Sequence, residues 1–462
     1  MDRFFKLKQN GTNVRTEILA GITTFMTMAY ILAVNPDVLT AFGKTGMEWY
    51  PVFLATALAA GIFTIAMGFF VNFPVALAPG MGLNAYFATV IISSNGTITW
   101  QMALTAVFIS GIIFILLTIT RVRQMLLVAV PDSLKHAITV GIGLFITIVG
   151  LKNSGLMSIA VETVGDVPAG TFTPLLSFES VIQMGSLHNP DVQLVLVGLF
   201  LISLLMVMKV KGSILYGILG TTLVAILMGH VDLTNISSSQ TPWIPDFTAL
   251  EFGAFDFAGI LNVGIVSVIL TFTFVEMFDT FGTLVGTANR AGLMKDKEQG
   301  RKRVGKAMLV DAFAVSGGAM LGTSTTTAFV ESSSGIAMGG RTGLTAIATG
   351  VCFLLALFLA PVIALIPGSA TAAALIIVGL LMIQSIREID FHDMVVAIPA
   401  FLTIVLMPLT YSIANGISFG IVAFVLLALV AQLMGNKEHK IHWLMWILAV
   451  LIILRYALLG GE

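Results

Sequence analysis

Hydrophobic positions along the chain come in blocks of about 17–25 residues, the length at which a helix crosses a bilayer, divided by short polar and charged segments. The blocks predict crossing helices near 17–34, 51–71, 74–92, 101–120, 133–151, 192–208 and 213–229. A second set lies near 260–286, 304–321, 325–340, 343–366, 370–385, 393–410 and 414–434. The sum is two sets of seven. In each set the third member is weak, because Gly, Pro and hydroxyl residues run through FPVALAPGMGLNAYFA and TSTTTAFVESSSGIAMGG. The longest polar segments, 152–191 and 230–258, are rich in Pro, Thr, Ser and Asp and predict outside loops. A last apolar run, HWLMWILAVLIILRYALLGG at 442–461, reads either as a fifteenth crossing or as a helix against the bundle. Its Trp residues and Arg455 favour an interfacial helix.

Composition agrees with lipid as the solvent for much of the surface. The 462 residues are 57% hydrophobic with a mean hydropathy of +1.00, and only 10% are charged. About 25% charged is usual for soluble domains. The opening MDRFFKLKQNGTNVRTE is polar and basic, with no apolar run before a cleavage site, so it does not read as a signal peptide. The single Cys352 excludes an internal disulfide framework. Net charge is −1 and points to neither acidic nor basic partners, nucleic acid included.

The placement of charge says more than its sum. Arg3, Lys6, Lys8 and Arg15 precede the first block, and Arg121, Arg123 and Lys135 follow the fourth. Lys209 and Lys211 follow the sixth, the cluster Arg290 to Lys306 the eighth, and Arg341, Arg387, Lys437 and Lys440 the tenth, twelfth and fourteenth. The alternate loops hold only Lys44 and Lys152. Cytoplasmic loops carry the excess of Lys and Arg, so both termini are expected inside a plasma (inner) membrane crossed many times.

Seven crossings per set is an odd number, so the second set lies upside down relative to the first. Inverted repeats with a midplane site are a recurring plan of secondary transporters, and paired interruptions at equivalent places mark the site. Non-helical backbone at membrane depth is tolerated where it is buried in protein or lines a cavity. The half-helices beyond each break are expected to aim N-terminal N–H groups at a common centre. Gly and Ser also serve close helix packing. A packing role explains either segment alone better than it explains both, third in each half.

Carboxylates inside the apolar blocks supply the candidate chemistry. In ILTFTFVEMFDTFGTLVGTANR, Thr273, Glu276, Thr280, Thr283 and Thr287 recur at helical spacing as one polar stripe, with Asp279 on an adjoining line. Glu331 sits in the tenth block. One acid at mid-membrane costs roughly 3 kcal/mol, so these three would cost on the order of 8 kcal/mol if unpaired. No Lys or Arg lies at their depth, which leaves protonation, hydration or a bound ligand to compensate. A hydrogen bond to a neighbouring helix would explain one acid more readily than three.

Four stretches together resemble the AzgA-like purine permeases of the nucleobase–cation symporter group, within the nucleobase/ascorbate transporter superfamily. They are TEILAGITTFMTMAYILAVNP, APGMGLNA, FVEMFDTFGTLVG and TSTTTAFVESSSGIAMGGRTGL, and the resemblance runs over essentially the whole chain. It implies an all-α polytopic protein of about fourteen spans in two inverted sevens, with interrupted third and tenth spans and with core and gate domains. On this chain the core falls at 17–132 and 260–366, the gate at 133–230 and 370–434. The cytoplasmic N-terminus is 1–16, and 441–462 is the C-terminal hydrophobic helix. The pattern of an acid then x-x-Gly in span eight is matched by Asp279 and Gly282. The span-ten pattern is matched by Glu331, Gly335 and Arg341, with Gly340 and Ser333 where relatives usually have Thr and Asn.

The resemblance further implies substrate bound between spans three, eight and ten. Asn84, Asp279, Phe329, Glu331, Thr283 and Ser332 would bind it, Phe329 by stacking, while Glu276 or Asp279 would carry the proton. Arg341 reads as an interfacial anchor and not as a ligand. Dimers occur in the family, which leaves a homodimer open. No cofactor is implied beyond a coupling ion, H⁺ ahead of Na⁺. Purine chemistry fits these residues: carboxylates accept N–H bonds, backbone N–H groups donate to O6 or a ring nitrogen, and aromatic faces stack. The expectation is a secondary transporter importing hypoxanthine or guanine, with adenine also in range. The rival is an anion or dicarboxylate transporter on the same architecture, which three central acids disfavour. No catalytic cluster sits inside the blocks, which speaks against an enzyme.

Overall fold

Over its described residues, each of the fourteen apolar blocks is largely helix, or a short strand running into helix, in the computed structural model, which describes residues 2–41, 43–94, 96–120, 129–159, 182–231, 241–262, 266–293, 297–435 and 439–459. After a short α1 (Asp2–Phe5), the first block forms two helices in line, α2 (Val14–Met28) and α3 (Ile31–Thr40), meeting at Ala29–Tyr30. α4 (Trp49–Ala66) ends in a π-helical turn, Met67–Val71. The third block is β1 (Leu77–Pro79) and α5 (Met81–Ser93); α6 (Trp100–Ile119), α7 (Asp132–Asn153), α8 (Pro190–Val207) and α9 (Ser213–Leu227) complete the first half.

The second half repeats the plan. It comprises α10 (Phe257–Asn262) with α11 (Val266–Arg290), then α12 (Lys297–Leu321), then β4 (Thr326–Ala328) with the short α13 (Ser332–Ala337). α14 (Gly343–Leu355) continues into α15 (Ala360–Ile363), followed by α16 (Gly368–Ile383), α17 (Met394–Leu409), α18 (Ile413–Leu433) and α19 (Trp443–Leu459). Among the described residues, nine helical stretches are both long and apolar enough to cross a membrane, and α5, α9, α17 and part of α19 are shorter apolar helices. In the long loop between α7 and α8, strands β2 (Met157–Ile159) and β3 (Ile182–Met184) pair antiparallel, and residues 160–181 lie outside the described residues.

The two interrupted blocks meet. β1 pairs antiparallel with β4 in the register Leu77↔Ala328, Ala78↔Thr327, Pro79↔Thr326. Pro79 and Gly80 end any helix at that point, and a run of β-branched Thr325, Thr326 and Thr327 favours extended backbone opposite. In lipid every freed backbone group needs a partner, and neighbouring side chains provide several. The Thr64 hydroxyl accepts from Leu77 N at 2.8 Å and lies 2.9 Å from its carbonyl. Ser332 Oγ accepts from Ala76 N at 3.0 Å, and Asp311 Oδ1 from Ala328 N at 3.0 Å. An orphaned buried N–H would cost about 1–3 kcal/mol at each place. The breaks are thus built into the fold.

Packing sorts the helices into two groups. α2 and α4 pack on α14, α6 on α11 and α12, and α13 on α2. α7 packs on α16 and α17, α8 on α9 and α16, and α17 on α18. Contacts between the groups are sparser: α3 with α16, α5 with α7, α9 with α2, α11 with α18.

α19 packs against the bundle, along α18. Gln432 Nε2 donates to the His439 carbonyl at 2.6 Å, and the Tyr456 hydroxyl donates to Asn415 Oδ1 at 2.6 Å. The helix therefore begins beside the end of α18 and finishes beside its start, running back along it for about 20 Å at 1.5 Å per residue. Met445, Leu448 and Ala449 are buried. An apolar surface all round gives the helix a bundle face to cover as well as a lipid face.

Candidate functional site

A cavity of about 440 Å³ lies between the two packing groups. One side carries Tyr30 from the α2–α3 junction, Gly80 to Gly82 at the start of α5, Thr283 on α11, and Thr327 to Glu331. The other carries Thr139 of α7 and Val378, Leu381 and Met382 of α16. Its far end reaches Arg290, Gln384 and Ser385. The volume is within the ordinary range of small-molecule sites, roughly 300–1,000 Å³.

Glu331 follows β4 and immediately precedes α13, on backbone already in the right-handed helical region. Its carboxylate is partly open to the cavity, and Oε1 accepts the Tyr30 hydroxyl proton at 3.1 Å. Phe329 lines the cavity two residues earlier, held by its N–H on the Ala76 carbonyl at 3.0 Å. Gly335 explains a spacing that the family pattern only records. A Cβ there would overlap the Thr24 hydroxyl and come 2.5 Å from the Ala20 carbonyl, so glycine lets α13 rest on α2.

The expected binding residues divide. Glu331, Phe329 and Thr283 line the cavity. Ser332 is turned behind the strand pair, where its hydroxyl holds Ala76 N, while Ser333 and Ser334 line the cavity in its place. Asn84 is fully buried off the cavity, and its Nδ2 donates to Asn35 Oδ1. Asn35 Nδ2 in turn donates to Thr56 at 2.7 Å and to Thr323 at 3.0 Å. Glu276 is fully buried in α11 and does not line the cavity. Asp279 lies on α11 one turn before Thr283, and its side chain is outside the described residues.

The half-helices are unequal as well. α5 has 13 residues and starts at Gly80 without a side-chain cap, leaving first-turn N–H groups for a ligand. α13 has only six residues. Donors come from the third block and acceptors from the tenth.

Four polar residues escaped the sequence reading. Tyr30 is one. Asp311 is fully buried in α12 and accepts from the hydroxyls of Thr280 at 2.9 Å and Thr327 at 3.3 Å besides Ala328 N, tying α11 to β4. Asn35 joins α3, α4 and α5. Glu17, fully buried in α2, takes the N–H groups of Arg341, Thr342 and Thr345 at 2.9–3.2 Å and the hydroxyls of Thr342 and Thr345 at 2.8 and 2.6 Å. It caps α14 and fixes the chain leaving α13. Arg341 spends Nη1 on the carbonyls of Ile336 and Gly340, at 2.5 and 2.7 Å, so it closes the end of α13 and contacts no cavity group. The signal for Asp311 and Glu17 was one acid each in an apolar block, as plain as that of Glu331.

Comparison with known proteins now adds ancestry to the geometry. The Permease family profile (Xan_ur_permease) matches residues 15–419. The chain belongs to that family. It is 41% identical to the adenine permease AdeP of Escherichia coli over 92% of this chain and 89% of that one. It is 39% identical to the guanine/hypoxanthine permease PbuO of Bacillus subtilis over 98% and 100%, and 41% identical to PbuG of the same organism over 99% and 100%. The fold is shared with the transmembrane domain of a cyanobacterial bicarbonate transporter, BicA, at a TM-score of 0.58 and 14% identity over 88% of this chain and 97% of that one. Murine Slc26a9 gives 0.61 at 12% identity over 90% and 68%. The chain is a multi-pass membrane transporter and not an enzyme.

Proposed function

We propose that the protein imports purine nucleobases across the plasma membrane by proton symport, with hypoxanthine and guanine its main substrates and both termini in the cytoplasm. The observation that carries this reading is the cavity with Phe329 and Glu331, just beyond β4, on one wall and the uncapped start of α5, just beyond β1, beside them. A flat heterocycle stacks on Phe329, gives an N–H to Glu331 and takes N–H donors from Met81 and Gly82 at the start of α5. The relatives' own substrates, adenine and guanine/hypoxanthine, support the same class. An anion on this fold would want cations at the centre. Here the central charge is Glu331, and Arg290 lines the cavity only at the end of α11.

Movement follows from the two packing groups. We assign α2–α6 and α10–α15 to a core that carries substrate and α7–α9 with α16–α18 to a gate. The cavity reaches the end of α16, whereas at the other end of that helix the Thr371 hydroxyl donates to Asp37 Oδ2 at 2.7 Å. Trp49 Nε1 holds Asp37 Oδ1 at 2.9 Å. This α3–α16 contact closes one side of the site while the other is open, and alternating access requires it to break. Asp279 and Glu331 bind the base, and Glu276 or Asp279 carries the proton.

The test is uptake of labelled hypoxanthine by cells lacking their own purine carriers, competed by a nucleobase panel with and without a protonophore. Purine-specific competition and loss of accumulation on collapsing the proton gradient are expected. Uptake that no purine competes would overturn the substrate class.

A further inference from the structure

The cavity wall around Glu331 has a donor–acceptor pattern that kinship leaves open, since adenine permeases and guanine/hypoxanthine permeases resemble this chain to the same degree. Tyr30 decides the pattern. It sits at the α2–α3 junction, is 1% exposed, lines the cavity, and gives its hydroxyl proton to Glu331 Oε1 at 3.1 Å. A phenol has a single O–H to donate, so this bond leaves Tyr30 with lone pairs only. It also anchors Oε1 of the carboxylate, and Oε2 is a second acceptor. This corner of the cavity therefore offers acceptors side by side. Ser333, Ser334 and Thr283 also line the cavity, but their hydroxyls rotate to give or accept and so discriminate little.

The start of α5 supplies the opposite polarity. Gly80 N is engaged by the Thr325 carbonyl at 2.9 Å, which locks the strand pair and leaves the first-turn N–H groups beyond it as the donors. The three-part surface reads acceptor, acceptor, donor.

We propose that Tyr30 is a specificity-determining residue which, by positioning Glu331, selects a purine edge of two adjacent N–H donors and an oxo group, and so makes guanine the preferred substrate. The inference rests on the purine reading above. Guanine presents its 2-amino group, N1–H and O6 in that order. Hypoxanthine presents N1–H and O6 and leaves one acceptor without a donor. Adenine turns the lone pair of N1 towards acceptors, and xanthine turns a 2-oxo group towards them. A site with buried polar groups rejects a ligand that leaves them unpaired more strongly than one that lacks a methylene. The expected order is guanine, hypoxanthine, then adenine and xanthine.

The experiment is inhibition of labelled hypoxanthine uptake by guanine, adenine, xanthine and 1-methylguanine, in cells making wild type or Tyr30→Phe. Against wild type, guanine should half-inhibit at roughly tenfold lower concentration than unlabelled hypoxanthine, the worth of one matched hydrogen bond. 1-Methylguanine, its N1–H blocked, should lose that advantage entirely. Tyr30→Phe keeps the ring but frees Glu331, so the guanine-to-hypoxanthine ratio should narrow to within about threefold. That ratio is taken on one protein, so altered membrane insertion does not move it. Adenine or 1-methylguanine competing as well as guanine in wild type overturns the proposal, as does an unchanged ratio in Tyr30→Phe. Should Tyr30→Phe fail to reach the membrane, the wild-type ranking with 1-methylguanine decides alone. Absence of any purine-competed uptake in wild type would instead overturn the purine reading itself.

Discussion

The two interrupted blocks occupy equivalent places in the two halves and pair with each other, yet they do different chemistry. At the third block, β1 runs into a 13-residue helix whose start is Gly-Met-Gly, and the nearest strongly polar side chain, Asn84, is turned away to Asn35. At the tenth, β4 leads to a carboxylate and a helix of only six residues. One break contributes backbone donors and the other a side-chain acceptor. A repeat thus fixes where backbone is exposed, while a few substitutions within it decide what each exposed segment offers a ligand.

The largest expected effect is on the acceptor side. Glu331→Gln replaces an acceptor with a group that also donates, and labelled-purine uptake at matched membrane level should fall about 100-fold or more. Asp279→Asn should fall comparably, because Asp279 is assigned to the same substrate. Near-normal uptake by both variants would remove the site assignment.

On the donor side the test is steric. A Cβ on Gly82 would run into the side chain of Ile142 on α7, where the two packing groups touch. Gly82→Val should abolish most uptake, and purified protein should keep its helical circular dichroism. A variant that transports normally would show that α5 and α7 do not need this close approach.

Smaller effects separate support from contact. Asp311→Ala orphans Ala328 N, while the Thr280 and Thr327 hydroxyls keep each other at 2.9 Å, so it should cost about 1–3 kcal/mol and lower the midpoint of thermal unfolding in detergent. Asn84→Ala should lower stability to a similar degree through Asn35 and change the KM for purine less than about tenfold, since its amide faces the buried cluster. A KM change as large as that of Glu331→Gln would put Asn84 back at the substrate. Thr371→Val removes the hydrogen bond to Asp37, worth about 1 kcal/mol, and should raise reagent access from the α3 side to a cysteine introduced at the cavity-lining Val378, in a chain with Cys352→Ala, while leaving substrate affinity nearly intact.

Much of this fold could be read before any coordinates. The fourteen apolar blocks, the weak third and tenth members and the place of Glu331 follow from hydropathy and from Gly, Pro and Thr runs, because lipid forces long helices and punishes every interruption that has no partner. Within a helix, sequence fixes only the angle at which a side chain leaves the axis. Asn84 and Ser332 were expected at the ligand from the family resemblance, which carries over positions and not side-chain directions. Which neighbour fills the facing space is a matter of tertiary packing, and for these two it was Asn35 and a strand N–H. Tyr30 stayed hidden for the same reason, as one amphipathic residue in MTMAYILAV. Asp311 and Glu17 were visible as acids in apolar blocks and deserved the same weight as Glu331. Their satisfied hydrogen bonds, seen only in the folded chain, mark them as structural ties.

The central claim, that a purine edge lies between the α5 start and Glu331, meets its most direct test in one measurement. It is labelled-guanine binding to purified wild-type, Glu331→Gln and Ser332→Ala proteins. Binding should be lost in Glu331→Gln and kept within about threefold in Ser332→Ala, whose hydroxyl faces the strand and not the cavity. Equal binding by wild type and Glu331→Gln would contradict the account.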